Sequence, residues 1–235
     1  QQRAYLLPVW QKISRYILPQ HGRYFVKNQR DRKPDFGDIL DNTASWAHGV
    51  FVAGMSAGAF PASVPWAGLR MRDPELAANG IGAEYCEAVS KVVHAIFAQS
   101  NTYPALRHCV AEMGAFGPGC LVIEEHEENV IHLHKLTAGT YCVDRDFNGY
   151  VVALYRELVS TVGAVVDQFG YESCTTIVKQ AWDQRRYSET VEILHVIDER
   201  KQRDPTKADS RNMPWRSVYI DQGARDDEPP LRESG

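Results

Sequence analysis

Residues 116–156 of the chain read FGPGCLVIEEHEENVIHLHKLTAGTYCVDRDFNGYVVALYR, and within this stretch the patterning changes from helical to strand-like. Before it, apolar residues recur at steps of three and four, which is typical of amphipathic helices. Gly117-Pro118-Gly119 then ends the last of these amphipathic helices, and short β-rich runs follow. The last two runs flank Asn148-Gly149, a strong hairpin signal. Helices first and antiparallel strands later predict an α+β fold and not a doubly wound parallel sheet.

Working outward from this stretch, the pattern predicts four helices before the break and two short helices among the later strands. The helices are expected at about 5–17, 43–60, 82–98, 101–116, 161–169 and 175–186. The strands are expected at about 120–123, 130–136, 140–143, 150–156, 190–198 and 216–221. Pro19 and Gly22 are expected to end the first helix. The chain therefore divides into a mainly helical segment, 1–119, and a β-rich segment, 120–235.

Composition limits the classes of function. The chain has 235 residues, 44% hydrophobic and 24% charged, which is ordinary for a soluble globular protein with a sizeable core. Its net charge of -4 argues against a surface that binds nucleic acid by neutralising phosphates. A basic loop between Arg23 and Lys33 is interleaved with acidic residues, so a solvated loop is expected there. Five cysteines without a Cys-x-x-Cys pair indicate free thiols in a reducing compartment.

The two ends of the sequence carry few signals. Gln1 stands where an initiator Met is expected, and no basic segment with an apolar run follows, so no signal peptide is visible. Residues 226–235, DDEPPLRESG, have no helix stop or core strand that finishes a domain. We therefore expect the sequence to be a piece of a longer chain.

One long stretch, residues 44–69, contains no Asp, Glu, Lys or Arg. Its glycines, prolines and serines, with few long aliphatic side chains, make it a poor match to a membrane span. The pattern instead predicts a buried helix over 43–60, capped by Asp41 or Thr43. Gly54 and Gly58 within it predict a close approach of a neighbouring helix, from the same or another subunit.

The sharpest catalytic motif is Gly54-Met55-Ser56-Ala57-Gly58, which fits the G-x-S-x-G nucleophile elbow of serine hydrolases. Asp144 or Asp167, followed by His195, would keep the chain order of a Ser-Asp-His triad. An α/β-hydrolase needs several strands before its elbow, however, and only one helix and a polar loop precede Ser56. A serine hydrolase using Ser56 is thus the alternative function, and a small residue on a packed helix is the expected role of Ser56.

Other motifs give no convincing active site. Glutamates at 124, 125, 127 and 128 surround His126, and His132 and His134 follow, but the spacing matches no metal-binding frame. A polar hairpin tip with two outward-facing histidines is expected instead. Residues 79–83, NGIGA, lack the third glycine of a dinucleotide fingerprint, and no phosphate-binding P-loop is present. We therefore predict no catalytic, cofactor-binding or metal-binding residues and no cofactor.

Short motifs spread along the chain, in order, resemble the head-to-tail connector, or portal, family of short-tailed T7-like bacteriophages. The matching fragments are YILP at 16–19, GDILDNT at 37–43, AGM at 53–55, FP at 60–61, VPWAGL at 64–69, QSNTY at 99–103, MGAFG at 113–117, GTY at 139–141, DFNG at 146–149, FG at 169–170 and LRESG at 231–235. Each fragment alone is weak, and their shared order gives the resemblance its specificity.

The resemblance implies a structural protein and not an enzyme. It implies a homo-oligomeric ring, about twelve-fold, at the portal vertex of the virion capsid, made in the host cytoplasm. Double-stranded DNA would pass through the ring without sequence-specific binding, during packaging and again during ejection. The implied partners are the capsid protein, the packaging motor (terminase) and the tail adaptor proteins, with no membrane span. This segment would form the outer, wing-like part of the subunit, leading towards the stem and clip, and no channel-lining residue can be assigned.

Overall fold

The computed structural model describes residues 5–18, 39–78, 80–207, 209–225 and 227–234, and within them it has the predicted α+β class. The chain forms two compact units, Gln1–Gly139 and Thr140–Gly235. Helices give way to strands at Cys120, as the sequence predicted. The units divide later, because the first hairpin belongs to the helical unit. The division into segments 1–119 and 120–235 of a larger subunit stays a prediction.

The first unit contains five helices and one hairpin among its described residues. They are α1 (Leu7–Tyr16), α2 (Thr43–Ala59), α3 (Pro74–Ala78), α4 (Gly80–Gln99), α5 (Thr102–Phe116), β1 (Cys120–His126) and β2 (Val130–Leu136). Helix α3 was not predicted, since five residues are too few to show a helical period. Two predictions lie outside the described residues: the end of the first helix at Pro19 and Gly22, and the basic loop 23–33.

A small apolar core holds α1 against α5. Trp10, Phe116 and Ala138 are buried together, with Leu6 and Ile13 packed at the edge. The indole N–H of Trp10 donates to the main-chain carbonyl of Phe116 at 3.1 Å, so this buried donor has an acceptor. Burying aromatic and aliphatic side chains of this size contributes about 1.5–3 kcal/mol each.

Two side chains of the α5 region fasten the hairpin to it. Asn101, just before α5, donates through Nδ2 to the carbonyl of Leu133 and accepts the Leu133 N–H through Oδ1, both at 2.8 Å. Its amide thus makes the two hydrogen bonds that another strand would make at this position of β2. Glu112, fully buried, accepts the N–H of Ala138 at 3.0 Å, and its other oxygen lies 3.5 Å from His108 Nε2. The loop after β2 is therefore also held to α5.

The second unit is a five-stranded antiparallel sheet with two short helices. Its elements are β3 (Tyr141–Arg145), β4 (Val151–Thr161), α6 (Val162–Phe169), α7 (Thr176–Asp183), β5 (Thr190–Glu199), β6 (Trp215–Asp221) and β7 (Arg232–Ser234). The strands lie side by side in chain order, β3-β4-β5-β6-β7. Residues 226–235, where we expected no core strand that finishes a domain, contain β7, which pairs with β6 and places Ser217 opposite Ser234.

Helices α6 and α7 cover one face of this sheet. Their valines Val162, Val165 and Val178 are almost fully buried against Ile193 and Tyr219 of the strands. Thr161 and Thr175 cap the two helices, as their side-chain oxygens accept N–H groups in the first turn. The predicted hairpin also forms: the N–H of Gly149 donates to the carbonyl of Asp146, and Gly149 has φ +83°, which glycine adopts readily.

Candidate functional site

The most unusual surface of the first unit lies on α2, whose polar side is turned inward. Ser45, His48, Val52 and Ser56, spaced three and four residues apart, are the α2 residues that are not exposed. Ser45 donates to a main-chain carbonyl just after α1 at 2.8 Å, and His48 Nε2 lies 2.9 Å from the carbonyl of Ala111. Val52 alone is buried. The inward stripe is therefore mostly polar, the reverse of the usual arrangement in a globular protein.

The apolar and small residues of α2 point outward, and we call this the outward face of α2. Trp46 is 68% exposed, Val50 54% and Met55 50%. A Cβ added at Gly54 or at Gly58 would meet no atom within 4 Å. Within the described residues most of α2 is exposed, so our expectation of a buried helix is wrong there, and no described helix of this chain approaches these glycines. The alternative, a close neighbour from another subunit, stays a prediction.

The close helix approach occurs elsewhere, at Gly114 of α5. A Cβ there would lie 2.9 Å from Cδ1 of Phe51 and closer still to Cε1 of the same ring. Phe51 therefore fills the space that a side chain at position 114 would take. This contact and the one between His48 Nε2 and the carbonyl of Ala111 hold α2 on α5 along one edge. Among the described residues, none lies close to Gly54 or Gly58 on the outward face.

The segment after α2 is fastened to α4. The indole ring of Trp66 stacks on Phe97, with centroids 5.8 Å apart and planes at 16°, and meets His94 edge-on. The N–H of Leu69 donates to Ser90 Oγ at 2.9 Å. The C-terminal end of α2 is thus held in place, and the outward face is presented by a fixed helix.

Ser56 does not lie on a nucleophile elbow. The motif requires a strand followed by a sharp turn, but the residues before Ser56 belong to α2, which runs from Thr43 to Ala59. Ser56 Oγ is buried and has no hydrogen-bond partner. The side chain acts as a small group between helices, as the sequence favoured, and it is not activated by a base.

The proposed partners of Ser56 belong to the second unit, while Ser56 belongs to the first. His195 is buried on the sheet face beneath α6 and α7, with Nε2 2.8 Å from Ser217 Oγ. Asp144 is exposed on the opposite face of the sheet, since it pairs with Ala153, and Asp167 is exposed on α6. The second unit therefore does not bring either carboxylate to His195.

The histidines of the first hairpin lie side by side on one face. The rings of His132 and His134 are 4.7 Å apart, and those of His126 and His132 are 5.8 Å apart. His134 Nε2 lies 3.2 Å from Glu124 Oε2, and His126 Nδ1 accepts N–H groups of the turn. Within the described part of the chain, no three His, Cys, Asp or Glu side chains are arranged to hold a metal ion. The row is a polar hairpin surface on which the rings meet edge-on or tilted and His134 is paired with Glu124.

Two further features of the sequence are the NGIGA motif at 79–83 and the uncharged stretch 44–69. Residues 80–83 of the NGIGA motif form the first turn of α4, while Asn79 is outside the described residues. No helix in the described ranges has both the length and the apolar content needed to cross a membrane.

Sequence reasoning missed the outward face of α2, although the signal was present. The uncharged stretch was interpreted as a buried helix, and the spacing of Ser45, His48 and Ser56 was not used. Polar residues on one stripe and Trp46 and Val50 on the other are the pattern of a helix that exposes an apolar face, and such a face often marks an interaction site. Such a surface offers no acid, base or nucleophile; chemically, it can bury another apolar surface.

Comparisons with known proteins agree with one another. Residues 1–235 match the model of the family described as bacteriophage head to tail connecting protein. The chain is 40% identical over 226 residues to a probable portal protein of Bordetella phage BPP-1. It is 32% identical over 228 residues to a portal protein of Salmonella phage epsilon15. Each alignment covers 96% of this chain and 40% of the relative, so the chain spans about two fifths of the length of these relatives.

Proposed function

Because the chain belongs to the family of bacteriophage head to tail connecting proteins, we propose that it is the wing-like part of a subunit that forms a portal ring. In this proposal about twelve copies form the ring at the portal vertex of the capsid. Double-stranded DNA passes through the ring during packaging and ejection. The capsid protein, the packaging motor (terminase) and the tail adaptor proteins dock on it, and the subunit is made in the host cytoplasm.

The outward face of α2 is the observation in this chain that carries the ring proposal. Large apolar side chains on a fixed helix, without a charged residue from 44 to 69, cost free energy when they face water. A head-to-tail ring contact buries one surface of a subunit against a different surface of its neighbour. The exposed glycines Gly54 and Gly58 would let a neighbouring helix come close to this face.

The charge of the chain supports a passive conduit. Acidic residues outnumber basic ones, 30 to 26, so the chain does not hold phosphates through an excess of Lys and Arg. A channel through which DNA slides benefits from weak, unspecific contact, since each neutralised phosphate adds affinity. We assign no residue to the channel wall.

We also propose that the chain has no enzymatic activity. The support is the position of Ser56 within α2 and not on a turn, and the burial of His195 beneath α6 and α7 with Nε2 2.8 Å from Ser217 Oγ. A hydrolase would need the serine on an exposed turn and an accessible histidine as its base.

Two valines on α2 provide a matched experiment. Val50 is half exposed and Val52 is buried, so Val50→Asp should leave the subunit folded while Val52→Asp should unfold part of the first unit. The protein is expressed at the full length of its gene and examined by negative-stain microscopy and mass photometry. We expect rings from the unaltered protein and folded, unassembled subunits from Val50→Asp. Rings of normal yield from Val50→Asp would show that this face is not the subunit contact, and a strictly monomeric unaltered protein would refute the ring itself.

A further inference from the structure

A row of large side chains crosses the five-stranded sheet of the second unit, one from each strand. Tyr141, Arg156, His195, Tyr219 and Arg232 are paired in register from β3 to β7. The same face carries Val191 and Ile193 of β5, which pack under α6 and α7. The row therefore places a cation, Arg156, on the covered face of the sheet.

Three residues of this row, His195, Tyr219 and Arg232, contact one another through their rings and the guanidinium. The rings of His195 and Tyr219 stack at 4.0 Å with planes 6° apart. The Arg232 guanidinium lies 4.8 Å from the centre of the Tyr219 ring. His195, Tyr219 and Arg232 therefore form an aromatic stack with a cation over the Tyr219 ring.

Arg156 has no such partner. Its side chain is 8% exposed, and Nε and Nη1 are buried without a hydrogen-bond acceptor. Other arginines of this unit are paired: Arg216 holds Asp198 through two hydrogen bonds of 2.6 and 2.9 Å, and Arg200 holds Glu233 at 2.9 Å. Within the described residues, Arg156 is left with a buried positive charge and no carboxylate.

A buried guanidinium without an acceptor is strongly unfavourable, since it loses its hydration and gains no bond. A guanidinium is always protonated under ordinary conditions, so Arg156 cannot escape the cost by losing its proton. The favourable state of this site is therefore one in which an anion with oxygen acceptors faces the guanidinium.

We infer that Arg156 is the centre of a binding site for one oxyanion. The ligand is a carboxylate or a phosphate group, which matches the N–H fork of arginine. Nη2 is not among the buried atoms, so the ligand reaches the guanidinium from that side. Strand β4 lies next to the edge strand β3, whose residues from Cys142 to Arg145 are exposed, and the approach is over this edge.

Two sources can supply the oxyanion: free inorganic phosphate, or a carboxylate side chain on another copy of the chain. The phosphate backbone of duplex DNA fits less well. A single arginine with two of its nitrogens buried presents too little positive surface for a duplex, and the chain as a whole is acidic. The second source rests on the proposed ring, whereas the first is independent of it.

Thermal melting of the 235-residue chain tests the first source. The unaltered chain, Arg156→Met and Arg216→Met are melted in potassium phosphate and in potassium chloride of equal ionic strength. Binding of free phosphate would raise the melting temperature of the unaltered chain and of Arg216→Met in a saturable way, and Arg156→Met would not respond. An equal rise in all three proteins would reflect a general salt effect and would overturn this source.

Ring assembly of the full-length protein tests the second source. If a neighbouring carboxylate fills the site, Arg156→Met remains folded by circular dichroism but assembles about tenfold less well, and Arg216→Met assembles normally. Arg156→Lys, which keeps the charge and loses the fork, should recover part of the assembly.

The inference would be overturned if the unaltered protein forms rings, Arg156→Met assembles normally and phosphate does not raise the melting temperature. Duplex DNA binding that is lost in Arg156→Met would assign the site to nucleic acid and overturn our choice of ligand. If the unaltered protein forms no ring, the proposed function fails, and the phosphate melts still decide the site.

Discussion

Replacing single glycines by alanine tests the packing of α2 directly, because the structure gives opposite signs at two positions. Gly54 lies in the exposed interior of α2, where an added methyl group would meet no atom within 4 Å, so Gly54→Ala removes only the poor helix propensity of glycine. That gain is about 0.8–1 kcal/mol. Gly114→Ala has the same intrinsic gain but places its Cβ 2.9 Å from Phe51 Cδ1. Overpacking typically costs about 1–3 kcal/mol, so the net effect is a loss of about 1 kcal/mol.

Urea unfolding of the 235-residue chain, followed by circular dichroism, measures both effects. The expected difference of about 2 kcal/mol between the two variants should shift the unfolding midpoints in opposite directions at equal m-values. A double variant, Gly114→Ala with Phe51→Ala, is the control, because removal of the ring should abolish the clash and produce a coupling energy. If Gly114→Ala stabilised the chain as much as Gly54→Ala does, the contact between α2 and α5 described above would be refuted.

Further predictions concern the hairpin contact, a surface carboxylate and the excluded catalytic serine. Asn101→Ala removes both hydrogen bonds to Leu133, so we expect a loss of about 1–3 kcal/mol and faster hydrogen exchange of the Leu133 amide; unchanged exchange would contradict this. Hydrogen bonds from Thr176, the largest cause, lower the pKa of Glu228 from 4.5 to about 2. The carboxylate therefore stabilises the fold above about pH 4.5, and this contribution is lost as the pH falls towards 2; Glu228→Gln should flatten the acid limb of the stability profile, and an identical limb would exclude the contact. A fluorophosphonate probe should not label Ser56, and labelling that disappears in Ser56→Ala would restore the hydrolase hypothesis.

The elements that the sequence predicted well are those whose signals are local. The helix ending at Phe116 is followed by Gly-Pro-Gly, and the turn at Asn148-Gly149 fixes the hairpin of β3 and β4. Strand β7 was missed because it is three residues long, follows two prolines and contains Arg232 and Glu233, so its identity depends on pairing with β6. Local patterning carries no information on such pairing.

The surfaces were harder to predict than the elements. An uncharged helix indicates that something covers it, but the sequence does not say whether the cover is its own chain. Within the described residues, Trp46, Val50 and Met55 of α2 stay exposed. The burial of Arg156 is hard to predict from the sequence for a similar reason. Leu154, Arg156 and Leu158 alternate on one face of β4, and an arginine between two leucines does not reveal which of the three is covered. Its burial follows from the sheet and cannot be inferred from the strand alone.

The order of the strands in the second unit also determines how this unit folds. Each strand of the sheet pairs with the strand next to it in the chain, from β3 through β7, and no pairing skips a strand. Contacts between near neighbours in sequence close short loops, and proteins of low contact order fold fast. This strand order would allow the sheet to gain one strand at a time as the chain is synthesised. Strands already added expose an open edge only until the next one emerges. Adding strands in this order limits the time in which incomplete chains expose an edge that can aggregate.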